Sequence, residues 1–128
     1  MGAILVVEDD DEIREDLSDA LADAGFSVVA AHDGNDALSK MQSMAQPCLV
    51  LLDLMMPVMD GWELRREMLR RPELAQVPVF VVSAVPGIQE ESKALEANGY
   101  LLKPFNVRQL LSVVEKYCTK RVGSAVAS

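Results

Sequence analysis

Positive charge is scarce in this chain: 12 Lys and Arg stand against 20 Asp and Glu across 128 residues, a net charge of −8. A surface of that sign is poorly suited to gripping DNA, RNA or anionic lipid, whose phosphates need cations to neutralise them. It suits a protein that collects cations. No apolar run approaches the roughly 20 residues that a membrane crossing needs, so no membrane role is expected. The N-terminus MGAILVVEDD lacks the basic region and small-residue cleavage pattern of a secretory signal. Glycine is missing from the turn after the first strand, VVEDDDEIR, which would repel phosphates and counts against a nucleotide-binding loop. Cysteine is nearly absent. Cys48 and Cys118 match neither a CxxC pair nor a metal spacing, and read as two buried, reduced thiols suited to a reducing cytoplasm.

What is present is a series of short apolar runs, each followed by a helical pattern. The length allows one domain with a real core and not two. Ala3–Val7, Phe26–Ala31, Cys48–Leu52, Val79–Val82 and Tyr100–Leu102 read as strands, and the central ones lack the alternation of a half-exposed strand. Ile13, Leu17, Leu21 and Ala24 mark a first helix that Asp10 or Asp11 caps and Gly25 ends. Ala37, Leu38, Met41 and Met44 mark a second. Trp62–Arg71 is a third, ended by Pro72, with Met68 and Leu69 inward and its four arginines a solvated face. A weaker fourth runs from Ile88 to about Asn98. Asn106 and Gln109 form a capping box ahead of a fifth helix with Val107, Leu110, Leu111, Val114 and Tyr117 as its buried stripe. The tail Arg121–Ser128 is unpatterned, a frayed end or the start of a linker. Strand–helix alternation of this kind implies an α/β fold: a doubly wound, five-stranded parallel sheet of order 2-1-3-4-5, flavodoxin-like, with helices on both faces.

Parallel strands deliver all their carboxyl ends to one edge. That edge collects Glu8, Asp9 and Asp10 from the first strand, Asp53 from the third, Ser83 from the fourth and Lys103 from the fifth. Asp53, at the lip of CLVLLDLMMPVMDG, is by itself a cap, a metal ligand or a nucleophile. Clustered carboxylates repel and rise in pKa unless a cation sits among them. A hard divalent ion is held by one or two carboxylates with waters and phosphate oxygens. Carboxylates, such an ion, a lysine and a hydroxyl together are the parts of phosphoryl transfer, in which Asp can itself be the nucleophile.

The same residues carry a resemblance. ILVVEDD…R, LLDLMMPVMDGWEL, VVSA and YLLKPF occur in the order and approximate spacing of response-regulator receiver domains, from Ile4 to about Tyr117. The resemblance implies a CheY-like receiver over 1–120 and a tail over 121–128. It makes Asp53 the phospho-acceptor, with Asp9, Asp53 and the carbonyl of Met55 as direct ligands of Mg²⁺, or of Mn²⁺ in its place, and Glu8 acting through water. Asp10 falls outside the metal site. Ser83 becomes the switch hydroxyl, Lys103 the lysine that holds a phosphate oxygen, and Tyr100 the switch aromatic. Lys103–Pro104 is expected to be cis. The implied partners are a histidine kinase or histidine phosphotransfer protein, and a downstream protein or covalently linked output domain. The implied place is the cytoplasm. Such a domain assists its own phosphorylation and slow dephosphorylation and is not a conventional enzyme.

Two features depart from the family pattern. The chain is a couple of residues short between Ser83 and Lys103, so the fourth helix or its exit should be shortened or shifted. Met55 and Val85, at the positions flanking the phosphoryl group, are apolar and cannot orient an attacking water. Met55 also counts against an aspartyl-phosphate phosphatase or mutase, which needs an acid two residues after its nucleophile. A docking module that keeps the fold without the chemistry is disfavoured by the complete acceptor set. His32, in a polar turn, reads as solvent-facing.

Overall fold

The computed structural model describes residues 2–56 and 58–120; Pro57, which with Met56 reads in the sequence as turn chemistry that stops the third strand, and the expected tail from Arg121 lie outside the described residues. Five strands, β1 (Ile4–Val7), β2 (Val28–Ala31), β3 (Leu49–Leu52), β4 (Val79–Ser83) and β5 (Gly99–Leu102), form one sheet of order β2-β1-β3-β4-β5. Every pairing is parallel. The order is the one expected from strand–helix alternation. The helices are α1 (Asp11–Asp23), α2 (Gly34–Ser43), α3 (Gly61–Leu69), α4 (Pro72–Ala75), α5 (Ile88–Ala94) and α6 (Val107–Tyr117).

All four residues of β1 and of β3 are buried, as unbroken apolar runs require of strands covered on both faces. Alternate side chains sort the core into two layers. Leu5, Val7, Val50 and Leu52 pack under α2 and α3 with Ala37, Met41, Leu64 and Met68. Ile4, Val6, Leu49 and Leu51 pack under α1 and α6 with Leu17, Leu21, Leu110 and Val114. A smaller cluster of Leu54, Val81, Ile88 and Leu95 seats α5. Short polar caps start the helices: Asp10, Asp33 and Asp60 each accept an N–H three residues on. Asn106 and Gln109 form the expected capping box on α6.

The helices also hold departures from expectation. Pro72 does not merely end α3; it is the first residue of an extra turn, α4, where a missing N–H costs nothing. The helix expected from Ile88 to about Asn98 stops at Ala94: α5 is seven residues long, has no side-chain cap at Gly87 and is left at Glu96 through a positive φ of 55°. Ile13 and Val107, in the first turns of α1 and α6, are exposed, at 36% and 52%, and line a hollow instead of the core. Val113 takes the buried place instead. Arg65 is no part of a solvated face: it is 3% exposed, and its guanidinium donates to the carbonyls of Leu95 and Glu96, each at 2.9 Å, closing the C-terminal end of α5.

The cysteines require a larger correction. Cys48 and Cys118 are joined in a disulfide, with Cα atoms 5.4 Å apart. They lie 70 positions apart in the chain. They meet because α6 runs back antiparallel to the strands and ends at the edge where β3 begins. No helix among the described residues is long and apolar enough to cross a membrane.

Candidate functional site

At the opposite edge, where the strands end, β1 runs into Glu8 and β3 into Asp53. Backbone bonds hold both ends in the sheet: Glu8 N–H donates to Ala31 O at 3.1 Å, and Asp53 N–H to Val7 O at 3.1 Å. Glu8 and Asp53 are buried, at 2% and 5% exposure, with Asp9 more open beside them. One carboxylate oxygen from each of Glu8, Asp9 and Asp53 lies within 4.8 Å of the others. Lys103, just past β5, brings its ammonium to 2.7 Å from Glu8 Oε1 and 3.7 Å from Asp53 Oδ2. Its own N–H donates to Ser83 O at 3.0 Å, which aligns the ends of β4 and β5.

Three carboxylates against one ammonium leave an excess of negative charge in a buried place. The acids respond accordingly. Burial pushes the Glu8 carboxyl up, Lys103 pulls it partly back, and the neighbouring Asp53 charge raises it again. Asp9 is pushed up by burial and then by its hydrogen bond with, and repulsion from, Glu8. A donor set of hard oxygens with surplus negative charge fits a small divalent cation. The residues present therefore fit the metal that the resemblance implies.

The remaining expected residues take up different stations. Asp10 caps α1 and stays outside the cluster; its N–H donates to Glu8 Oε2 at 3.2 Å. Met55 follows Asp53, is 62% exposed, and donates its N–H to Asp53 Oδ1 at 3.3 Å. Ser83 is buried at the end of β4, its hydroxyl accepting from Val85 N–H at 3.4 Å. Tyr100 lies on β5 with its side chain outward, 39% exposed, away from the carboxylates. Lys103–Pro104 is cis, as expected.

Two supports were not readable as such. Arg14, one turn into α1, donates to Glu8 O at 2.9 Å and to Asp9 O at 3.4 Å, bracing the turn that carries the acidic pair. Its signal was the arginine of ILVVEDD…R, which carried the resemblance but was given no role. Gly61, the first residue of α3, donates to Leu54 O at 3.1 Å and lies directly against the backbone of Asp53. Beside Lys103, an apolar hollow of about 520 Å³ opens between α1 and the start of α6, lined by Ile13, Leu17, Pro104, Phe105 and Val107.

Comparison with known proteins agrees with this arrangement. The model of the response regulator receiver domain matches residues 4–115. The response regulators MprA of Mycobacterium avium (strain 104) and of Mycobacterium tuberculosis (strain H37Rv) are each 40% identical over 111 residues, 85% of this chain and 47% of theirs. The chain thus spans about half the length of the curated relatives it matches. Among solved structures, the chemotaxis protein CheY4 of Vibrio cholerae superposes with a TM-score of 0.83 at 34% identity, covering 92% of this chain and 99% of that one. The response regulator TrrA of Thermotoga maritima, solved in complex with Mg²⁺–BeF, gives 0.80 at 30% identity, covering 92% and 100%. With four strand ends delivering the acidic pair, the buried aspartate, the serine and the lysine to one edge, the chain belongs to the response regulator receiver domain family of two-component signalling.

Proposed function

We propose that this chain is a phospho-accepting switch in which Asp53 takes a phosphoryl group from the phosphohistidine of a histidine kinase or histidine phosphotransfer protein. The observation that carries the reading is Asp53 itself: a buried carboxylate at the end of a central strand, within reach of two further acids and one lysine. An Asp53 oxygen attacks phosphorus in line, the P–N bond to the donor imidazole breaks, and the imidazole keeps the electron pair and takes up a proton. Asp9, Asp53 and the Met55 carbonyl would hold Mg²⁺, with Glu8 acting through water; the ion supplies charge neutralisation between carboxylate and phosphoryl oxygens.

The chain's own groups do the rest. Lys103, already 3.7 Å from Asp53, exchanges its partner Glu8 for a phosphoryl oxygen. Ser83 turns its hydroxyl from the Val85 N–H toward the phosphoryl group and draws the loop between β4 and α5 inward. Tyr100 follows, altering the face made by α5, β5 and α6. This is a two-state element biased by a local charge event. The hollow beside Lys103, with Ile13 and Val107 exposed at its rim, gives the donor protein an apolar seat. The reading places the chain in the cytoplasm, where such donors act. It is not a conventional enzyme, because the acceptor stays modified until hydrolysis, and Met55 offers no proton for a phosphatase or mutase.

Acetyl phosphate with Mg²⁺ supplies a small donor for the test. Intact-mass measurement should show one phosphoryl group on the wild type and none on Asp53→Asn. Substantial labelling of Asp53→Asn would overturn the assignment.

A further inference from the structure

We infer that the Cys48–Cys118 bond is a thiol–disulfide exchange site, opened by a dithiol reductant, that sets the position of the last turn of α6. The bond lies at the edge of the sheet opposite the carboxylates, between the residue before β3 and the residue that closes α6. The fold does not hang on it. β3 is held by parallel ladders to β1 and β4, and α6 by Leu110, Val113 and Val114 in the core. Both cysteines also pack in that same apolar cluster, so the two sulfurs remain neighbours when the bond is open and can close it again.

Access and coupling are both visible. Cys48 lines a polar hollow of about 400 Å³ together with Gln46, Gln76 and Tyr117, whereas Cys118 is only 7% exposed. Cys48 is therefore the sulfur that a reductant reaches. Tyr117, next to Cys118, meets Phe80 of β4 edge-on, with ring centroids 5.9 Å apart. The Phe80 ring in turn lies so close to Gly99 of β5 that a Cβ there would come within 2.4 Å of Cζ. Phe80 and Gly99 are partners in the β4–β5 ladder. The last turn of α6 thus touches β4, which ends at Ser83, and through the Phe80 ring reaches β5, which ends before Lys103.

That the bond is made and broken in use rests on the cytoplasmic placement under the proposed function: disulfides are challenged there continually, and those that form are usually transient and redox-sensing. A thiolate of the dithiol attacks Cys48 Sγ, and Cys118 leaves as thiolate and takes a proton. The reductant's second thiol then displaces Cys48. Two electrons and two protons pass to the protein, and the reductant departs as its own disulfide.

The test uses the full chain, dithiothreitol as reductant, oxidised glutathione as oxidant, and iodoacetamide to count free thiols by intact mass. Oxidised protein should take up no label, and reduction without denaturant should expose both thiols while the circular dichroism of the fold persists. Amide exchange at residues 117–120 and in the β4–β5 ladder should be about tenfold faster in the reduced form, as local opening becomes easier. Cys48→Ser and Cys118→Ser should each behave as the reduced form does and ignore dithiothreitol. Three results would overturn the inference: free thiols that persist in oxidised glutathione, a bond that opens only in denaturant, or exchange identical in the two forms. None of these readouts uses Asp53. The Asp53→Asn protein should give the same pair of forms, so failure of the acceptor assignment and failure of the exchange site are separable.

Discussion

Replacing Gly61 by Ala tests whether α3 positions the acceptor. A Cβ on Gly61 would lie 2.4 Å from Asp53 O, 2.7 Å from Leu54 Cα and 2.9 Å from Leu54 Cδ2, inside the 3.0 Å below which real Cβ atoms essentially never fall. Two of these neighbours are backbone, so no rotamer change relieves the clash. Either the start of α3 moves outward or Asp53 moves in the sheet, and in both cases the bond from Gly61 N–H to Leu54 O is lost or stretched. Overpacking typically costs about 1–3 kcal/mol, and the hydrogen bond about 1 kcal/mol. Against this, Ala stiffens the unfolded chain and favours the helix, returning about 0.5–1 kcal/mol. The net loss is about 1–3 kcal/mol, a fall in Tm of roughly 4–10 °C for a domain of this size. The effect on chemistry should be larger, since a displacement near 1 Å can cost about a hundredfold in a positioned reaction. Thermal unfolding and the initial rate of phosphoryl uptake from acetyl phosphate are the measurements. Gly25→Ala is the control: its φ of +100° makes Ala strained by about 1–2 kcal/mol far from the acceptor. It should lower Tm and leave uptake unchanged. Gly61→Ala with unaltered Tm and uptake would refute the close approach, and lowered Tm with normal uptake would refute the positioning role.

Four further outcomes follow from the site and its supports. Because Glu8 and Asp9 have raised pKa values, these two carboxyls hold more protons in the native chain than in the unfolded one; Asp36, lowered against its burial by its bonds to His32 and Lys40, opposes them only as pH falls toward and below its ordinary 3.8. Metal-free stability should therefore rise as pH falls through the folded values toward the ordinary 4.5 and 3.8, and be lowest above that window. Mg²⁺ at ten times its Kd should return about 1.4 kcal/mol at neutral pH, and progressively less as protons compete; a Tm gain independent of pH would contradict this. Met55→Asn should shorten the lifetime of the acyl phosphate by giving water a hydrogen-bond partner, read from the time course of phosphate loss; an equal or longer lifetime counts against it. Arg65→Met should cost about 1–3 kcal/mol and speed amide exchange in α5, because the Leu95 and Glu96 carbonyls lose charged donors. The cost stays in that range because Arg65 Nη1 has no partner among the described residues and its burial is itself unfavourable. Unchanged α5 exchange in urea-free buffer would show that the helix does not depend on this contact.

Much of this molecule was legible because its topology turns sequence position into spatial position. Unbroken apolar runs identified the buried strands, and parallel pairing then brought Glu8, Asp9, Asp53, Ser83 and Lys103 to one edge without any side-chain detail. Periodicity failed in the first turns of α1 and α6. Ile13 and Val107 keep helical spacing with buried residues, yet they are exposed and line a hollow. Arg65 shares a face with Met68 and Leu64, but only the early end of α5 shows why a cation belongs there. The cysteines are a different case, since the topology points to their shared edge but not to their contact. The rule that gathers strand carboxyl ends at one edge also gathers strand beginnings and helix ends at the other. Cys48 begins a strand and Cys118 ends a helix. Both were expected to be buried, but a shared edge spans several strand spacings, and only the seating of α6 beside the start of β3 brings their Cα atoms to 5.4 Å. Applied to the acids alone, the rule found one site. Applied to the whole chain it finds two, one at each edge of the sheet, with α6 and the β4–β5 pair running between them.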